Sequence, residues 1–117
     1  MTAAPIDQAK LKELINLFGN RKEVRDLFDE FFADLPARLE TLRTGLKSLT
    51  VDEVNRAAHA LKGSSANLGA TQVTETARKI EESARTQTLD GSANNLKRLE
   101  AELSDLQAWL RLKGLLS

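Results

Sequence analysis

Apolar residues recur at every third or fourth position along nearly the whole chain, and no other feature of the sequence limits the fold as much. That spacing is the period of an amphipathic helix. Residue choice agrees with it: Ala, Leu, Glu, Lys and Arg, all strong helix formers, are abundant, β-branched residues rarely cluster, and there are only two prolines. Helix is therefore the expectation everywhere.

The stripe divides into five segments. The first runs from about Asp7 to Phe18, with Leu11, Leu14, Ile15 and Phe18 on one face and Gly19 as the stop. A second begins after Asn20, which has Glu23 as a capping-box partner, and carries Val24, Phe28, Phe31, Leu35, Leu39, Leu42, Leu46 and Leu49. Pro36 lies inside it and is expected to kink or split the helix. The third starts at Thr50, again with capping-box spacing to Glu53, and shows Val51, Val54, Ala58, Leu61, Ser65 and Leu68 before Gly69 ends it. The fourth runs from about Thr71 to Arg85 with Val73, Ala77, Ile80 and Ala84 inward. Its outer face offers the i,i+4 pairs Glu75/Lys79, Arg78/Glu82 and Glu81/Arg85. After a turn at residues 87–92, a fifth helix shows Leu96, Leu99, Leu103, Leu106 and Leu110.

Helices joined by short connections pack as antiparallel neighbours. The expected fold is all-α: an up-down antiparallel four-helix bundle with a short additional N-terminal helix, formed by residues 1–117 as a single domain. Composition then removes whole classes of function. Without cysteine there is no disulfide framework, thiolate metal site or thiol nucleophile, and with one histidine, His59, a zinc enzyme would need carboxylates for every other ligand. Seventeen basic residues balance seventeen acidic ones, so no long-range field draws the chain to nucleic acid or an anionic membrane. The glycines stand singly and build no phosphate loop or dinucleotide fingerprint. The first five residues, MTAAP, lack the positive leader and apolar stretch of a secretory signal, and no apolar run approaches the ~20 residues that span a bilayer. A cytoplasmic protein is expected.

The third helix departs from the others. With His59 at 0° and about 100° per residue, Ala66 falls near −20°, Asn55 near −40°, Gly63 near +40°, Lys62 near −60° and Arg56 near +60°. Leu61, Val54 and Leu68 lie roughly 140–180° away, so the only histidine faces away from the core. Gly63, inside a helix, costs about 1 kcal/mol relative to alanine; lacking a side chain one turn beyond His59, it lets another surface approach the imidazole. A neutral imidazole is a competent nucleophile. Lys62, as an exposed cation one turn away, contributes about 1 kcal/mol, at most about tenfold in rate. A hydrolase would need a general base and an oxyanion site that this face does not suggest. Phosphoryl acceptance from a partner with its own catalytic apparatus requires much less.

The segment HALKGSSANLGA at residues 59–70 resembles the signature of the histidine-containing phosphotransfer (HPt) domains of multistep two-component signalling. The pattern is His, any residue, an aliphatic, Lys, Gly, two small residues, two variable positions, an aliphatic and Gly, and each fixed element is met. The resemblance implies a four-helix bundle and a reversible relay. A receiver-domain phosphoaspartate docks over His59, the ring nitrogen remote from the backbone attacks in line, and the group later passes to another receiver aspartate. It implies that Lys62 offsets phosphoryl charge and that Gly63 leaves room for the partner, with Ser64 and Ser65 serving helix packing. Glu81, in the place of the family's acidic or amide residue, either orients the ring or joins Arg85 on the solvated face. The chain needs no cofactor of its own, because the receiver supplies Mg²⁺. Expected partners are response-regulator receiver domains and a hybrid histidine kinase, with the protein a monomeric phosphohistidine carrier and not a stand-alone enzyme. Receivers of this family dock on an apolar patch, for which Ile6, Leu11, Leu27 and Phe32 are the candidates.

Two other readings stand beside this one. The first is the phospho-accepting domain of a chemotaxis-type kinase; such domains belong to long multidomain chains, whereas this sequence begins with methionine and ends after its last helix. The second is a helical interaction module without phosphotransfer.

Overall fold

Local chemistry sets the helix ends. The Asp7 carboxylate accepts from the backbone N–H of Ala9 (3.0 Å) and Lys10 (3.3 Å) and opens α1 (Gln8–Phe18), which Gly19 closes at φ +81°. Asn20 accepts from the Glu23 N–H at 2.9 Å and opens α2 (Arg21–Lys47). Three more helices follow: α3 (Val51–Asn67), α4 (Thr71–Arg85) and α5 (Ser92–Leu112). The structure, a computed structural model, describes residues 4–117; the expectation for the first three residues lies outside it. Among the described residues the chain forms five helices and no strand, and no helix is long and apolar enough to cross a membrane.

Most of the apolar stripe is core. Val24, Phe28, Phe31, Leu35 and Leu42 of α2 are buried, as are Val54, Ala58, Leu61 and Ser65 of α3, the four inward residues of α4 and the five expected leucines of α5, Leu96 to Leu110. Pro36 does not split α2. Its ring sits on the exposed side and the helix continues to Lys47. Leu49, expected as the last member of the α2 stripe, is 71% exposed, because the chain has already left the helix and turns at φ +56° there. The Thr50 capping box does not form either: the Thr50 hydroxyl pairs with the Ser48 hydroxyl at 2.9 Å. On α4 the ion pairs are i,i+3 and not i,i+4. Arg78 grips both oxygens of Glu75 (2.6 and 3.0 Å), and Arg85 does the same to Glu82, since a guanidinium satisfies a carboxylate best through its two-pronged edge.

The helices pack in sequence. α2 lies on α3, α3 on α4, α4 on α5 and α5 back on α2, with the most extensive contact between α3 and α4; α1 rests on α2. Buried Gly45 of α2 lies tight against α3, where a Cβ would stand 2.8 Å from Val54 Cγ2. Both ends of the described segment, residues 4–117, are tied down. The Asp7 N–H donates to the Gly69 carbonyl at 2.7 Å, which anchors the N-terminal segment to the α3–α4 turn. Past α5, Leu115 and Leu116 return to the core, Arg21 donates to the Lys113 carbonyl at 2.5 Å, and the Ser117 N–H and hydroxyl donate to Asp29 at 2.9 and 2.6 Å. Those two hydrogen bonds hold the Asp29 carboxyl below its ordinary value.

Candidate functional site

The inward residues of α3 fix which way its other face looks. Val54, Ala58 and Leu61 are fully buried, so the opposite side, bearing His59, must meet solvent. The His59 side chain is 70% exposed. Gly63, one turn on, is also exposed, and a Cβ built there would meet nothing within 4 Å. No internal contact requires that glycine.

Behind the ring stands α4. Glu81 follows the buried Ile80, and its side chain, 16% exposed, lies in the seam between α3 and α4. One oxygen, Oε2, meets His59 Nδ1; the other, Oε1, accepts from Lys62 Nζ at 2.5 Å. Burial alone would raise the Glu81 carboxyl, but the hydrogen bonds from Lys62 and His59 together outweigh it and hold it below the usual glutamate value. Glu81 is then a carboxylate at neutral pH, and a carboxylate can only accept. In the neutral ring the proton therefore sits on Nδ1 and the lone pair on Nε2.

Asn55, Arg56 and Arg85 line the same shallow depression as His59, Lys62 and Glu81. Below it, the buried Ser65 hydroxyl pairs with Thr74 of α4 at 2.8 Å and donates to the Lys62 carbonyl at 3.1 Å, while the Ser64 hydroxyl donates back to Ala60 at 2.8 Å. Polar groups on the packed side of α3 are thus satisfied within the fold.

The structure brings His59, Lys62 and Glu81 into direct contact, with Gly63 beside them. It does not keep Glu81 with Arg85, which is bound to Glu82. Of the four apolar docking candidates, Ile6 and Leu11 are core residues, 3% and 8% exposed, because the Asp7–Gly69 hydrogen bond draws that segment into the bundle end. Leu27 is half-buried and lines a groove with Phe31, Ser64 and Asn67, next to Gly63. Phe32 faces a different groove, between α2 and α5, away from His59. The sequence reading missed the Lys62–Glu81 contact. An acidic residue directly after an inward aliphatic on the neighbouring helix was the available signal.

An exposed imidazole, held at one ring nitrogen, thus stands on an all-helical scaffold. The Hpt domain family model matches residues 26–109, and the chain belongs to that family. Among solved structures it is similar to histidine-containing phosphotransfer protein B (HptB) from Pseudomonas aeruginosa PAO1, at 26% identity and a TM-score of 0.88, over 96% of each chain. No curated protein sequence matches it.

Proposed function

We propose that the protein is a phosphorelay intermediate that takes a phosphoryl group from a receiver phosphoaspartate onto His59 Nε2 and returns it to the aspartate of another receiver. The observation that carries this reading is the combination of a ring held at Nδ1 by Glu81, a His59 side chain 70% exposed, and an unobstructed surface at Gly63 one turn on. In the forward step the Nε2 lone pair forms the N–P bond while the P–O bond to the receiver's aspartate breaks, and the aspartate leaves as a carboxylate. Positive charge develops on the ring, whose Nδ1 proton stays against Glu81. The anionic carboxylate stabilises that charge and Lys62 holds the carboxylate in place. The reverse step follows the same path. This chain contributes position and one electrostatic partner; the receiver brings Mg²⁺ and most of the transition-state stabilisation.

The α2–α5 ring is an up-down antiparallel four-helix bundle, residues 1–117 act as one domain, and the protein works as a cytoplasmic monomer. Receivers, including that of a hybrid kinase, dock over Gly63 with Leu27 at the rim. The test is to incubate the protein with a phosphorylated receiver and follow the label. Acid-labile label should appear on the wild type and vanish in His59→Gln; undiminished labelling of the variant defeats the proposal.

A further inference from the structure

The phosphoryl group that His59 would carry brings about 1.5 to 2 negative charges to the surface, so a cation must meet it or the product is left to water alone. Three basic side chains line the depression, and two of them are occupied. Lys62 is bound to Glu81, and Arg85 is bound through two nitrogens to Glu82. Arg56 is exposed and makes no hydrogen bond or ion pair among the described residues, although Asp52 and Glu53 lie within one helical turn of it.

Helix geometry favours Arg56 further. Residues three apart have Cβ atoms about 5–6 Å apart, and a helical side chain covers the turn N-terminal to its own Cα. The His59 ring therefore leans over the turn that holds Asn55 and Arg56. A guanidinium also offers phosphate two parallel donors where an ammonium offers a point charge.

We infer that Arg56 is the phosphoryl-binding cation of this site: its guanidinium meets the phosphoryl oxygens on His59 Nε2 while Lys62 remains on Glu81. The inference rests on the phosphorelay reading and assigns a contact within it. Arg56 and Lys62 on α3, with Glu81 and Arg85 on α4, are the charged groups that surround the ring.

The test loads His59 chemically with phosphoramidate, whose P–N bond breaks with loss of ammonia as the Nε2–P bond forms, and then follows the ³¹P resonance against pH. Removing a cation in contact makes the dianion less favourable. Arg56→Ala should raise the midpoint of the second phosphoryl ionisation by about 0.5 pH unit, Arg56→Lys should restore part of the shift, and Lys62→Ala should move it less. An Arg56→Ala midpoint equal to that of the wild type overturns the inference, and so does a larger shift in Lys62→Ala. A relay that fails with every receiver would defeat the functional reading separately, because the chemically loaded protein still reports on Arg56.

Discussion

Two helical glycines divide the molecule into a closed region and an open one. Gly45, in the last turn of α2, is buried, and a Cβ there would press on Val54 Cγ2 at 2.8 Å; Gly63, on α3, is exposed, and a Cβ would touch nothing within 4 Å. Each gives up to about 1 kcal/mol of helix stability relative to alanine. At Gly45 the loss is offset inside the fold, by the close approach of α2 to α3. At Gly63 nothing in this chain offsets it. Gly45 thus serves folding, whereas on the proposed relay reading Gly63 serves an encounter.

The largest expected effect breaks the open side. Gly63→Leu should slow transfer from a phosphorylated receiver roughly 100-fold by obstructing the approach to Nε2, while thermal unfolding shows a fold as stable as the wild type or up to about 1 kcal/mol more so. A normal transfer rate in that variant would remove Gly63 from the docking face. The mirror experiment is Gly45→Ala. Its methyl has no room beside Val54, so denaturant melts should show a loss of about 1–2 kcal/mol, with transfer by the folded protein unchanged. Lys62→Ala should slow transfer by at most about tenfold and leave circular dichroism unaltered; an unchanged rate would take Lys62 out of the mechanism.

The smallest effect concerns Glu81, which belongs to both regions because it is packed at the α3–α4 seam and touches the His59 ring. Its folded carboxyl is depressed by the bonds from Lys62 and His59 despite burial. Such a group stabilises the fold above its unfolded pKa, and the contribution is lost as pH falls through the folded value. Chemical denaturation from about pH 5 downward should therefore show a steeper loss in the wild type than in Glu81→Gln. Equal slopes would mean that the contact contributes nothing to the fold.

Much of this contrast was legible in residue spacing. Buried and outward faces of α3 follow from 100° per residue, because a helix with one packed side leaves little freedom for the other. The cap at Asn20, which depends on one side chain and its own backbone, was also readable. Thr50 was not, since Ser48 competes for its hydroxyl, and Leu49 was not, since periodicity does not say where a helix stops. The partner of Glu81 depends on how α3 and α4 cross, and within α4 alone Arg85 was as good a choice. The burial of Ile6 and Leu11 and the return of Leu115 and Leu116 go with hydrogen bonds between distant segments, Asp7 to Gly69 at one end and Arg21 to Lys113 and Ser117 to Asp29 at the other, which no local pattern records.

The clasp of Ser117 on Asp29 gives the molecule an order of assembly. Its partners are 88 residues apart in the chain, whereas the α3–α4 hairpin, with Ser65 and Thr74 nine apart at its seam, is local. Loop closure costs more entropy as the intervening chain lengthens, and local contacts form first. The hairpin that carries His59 and Glu81 is thus the early part of the fold, and the seal between the tail and α2 is its last stitch.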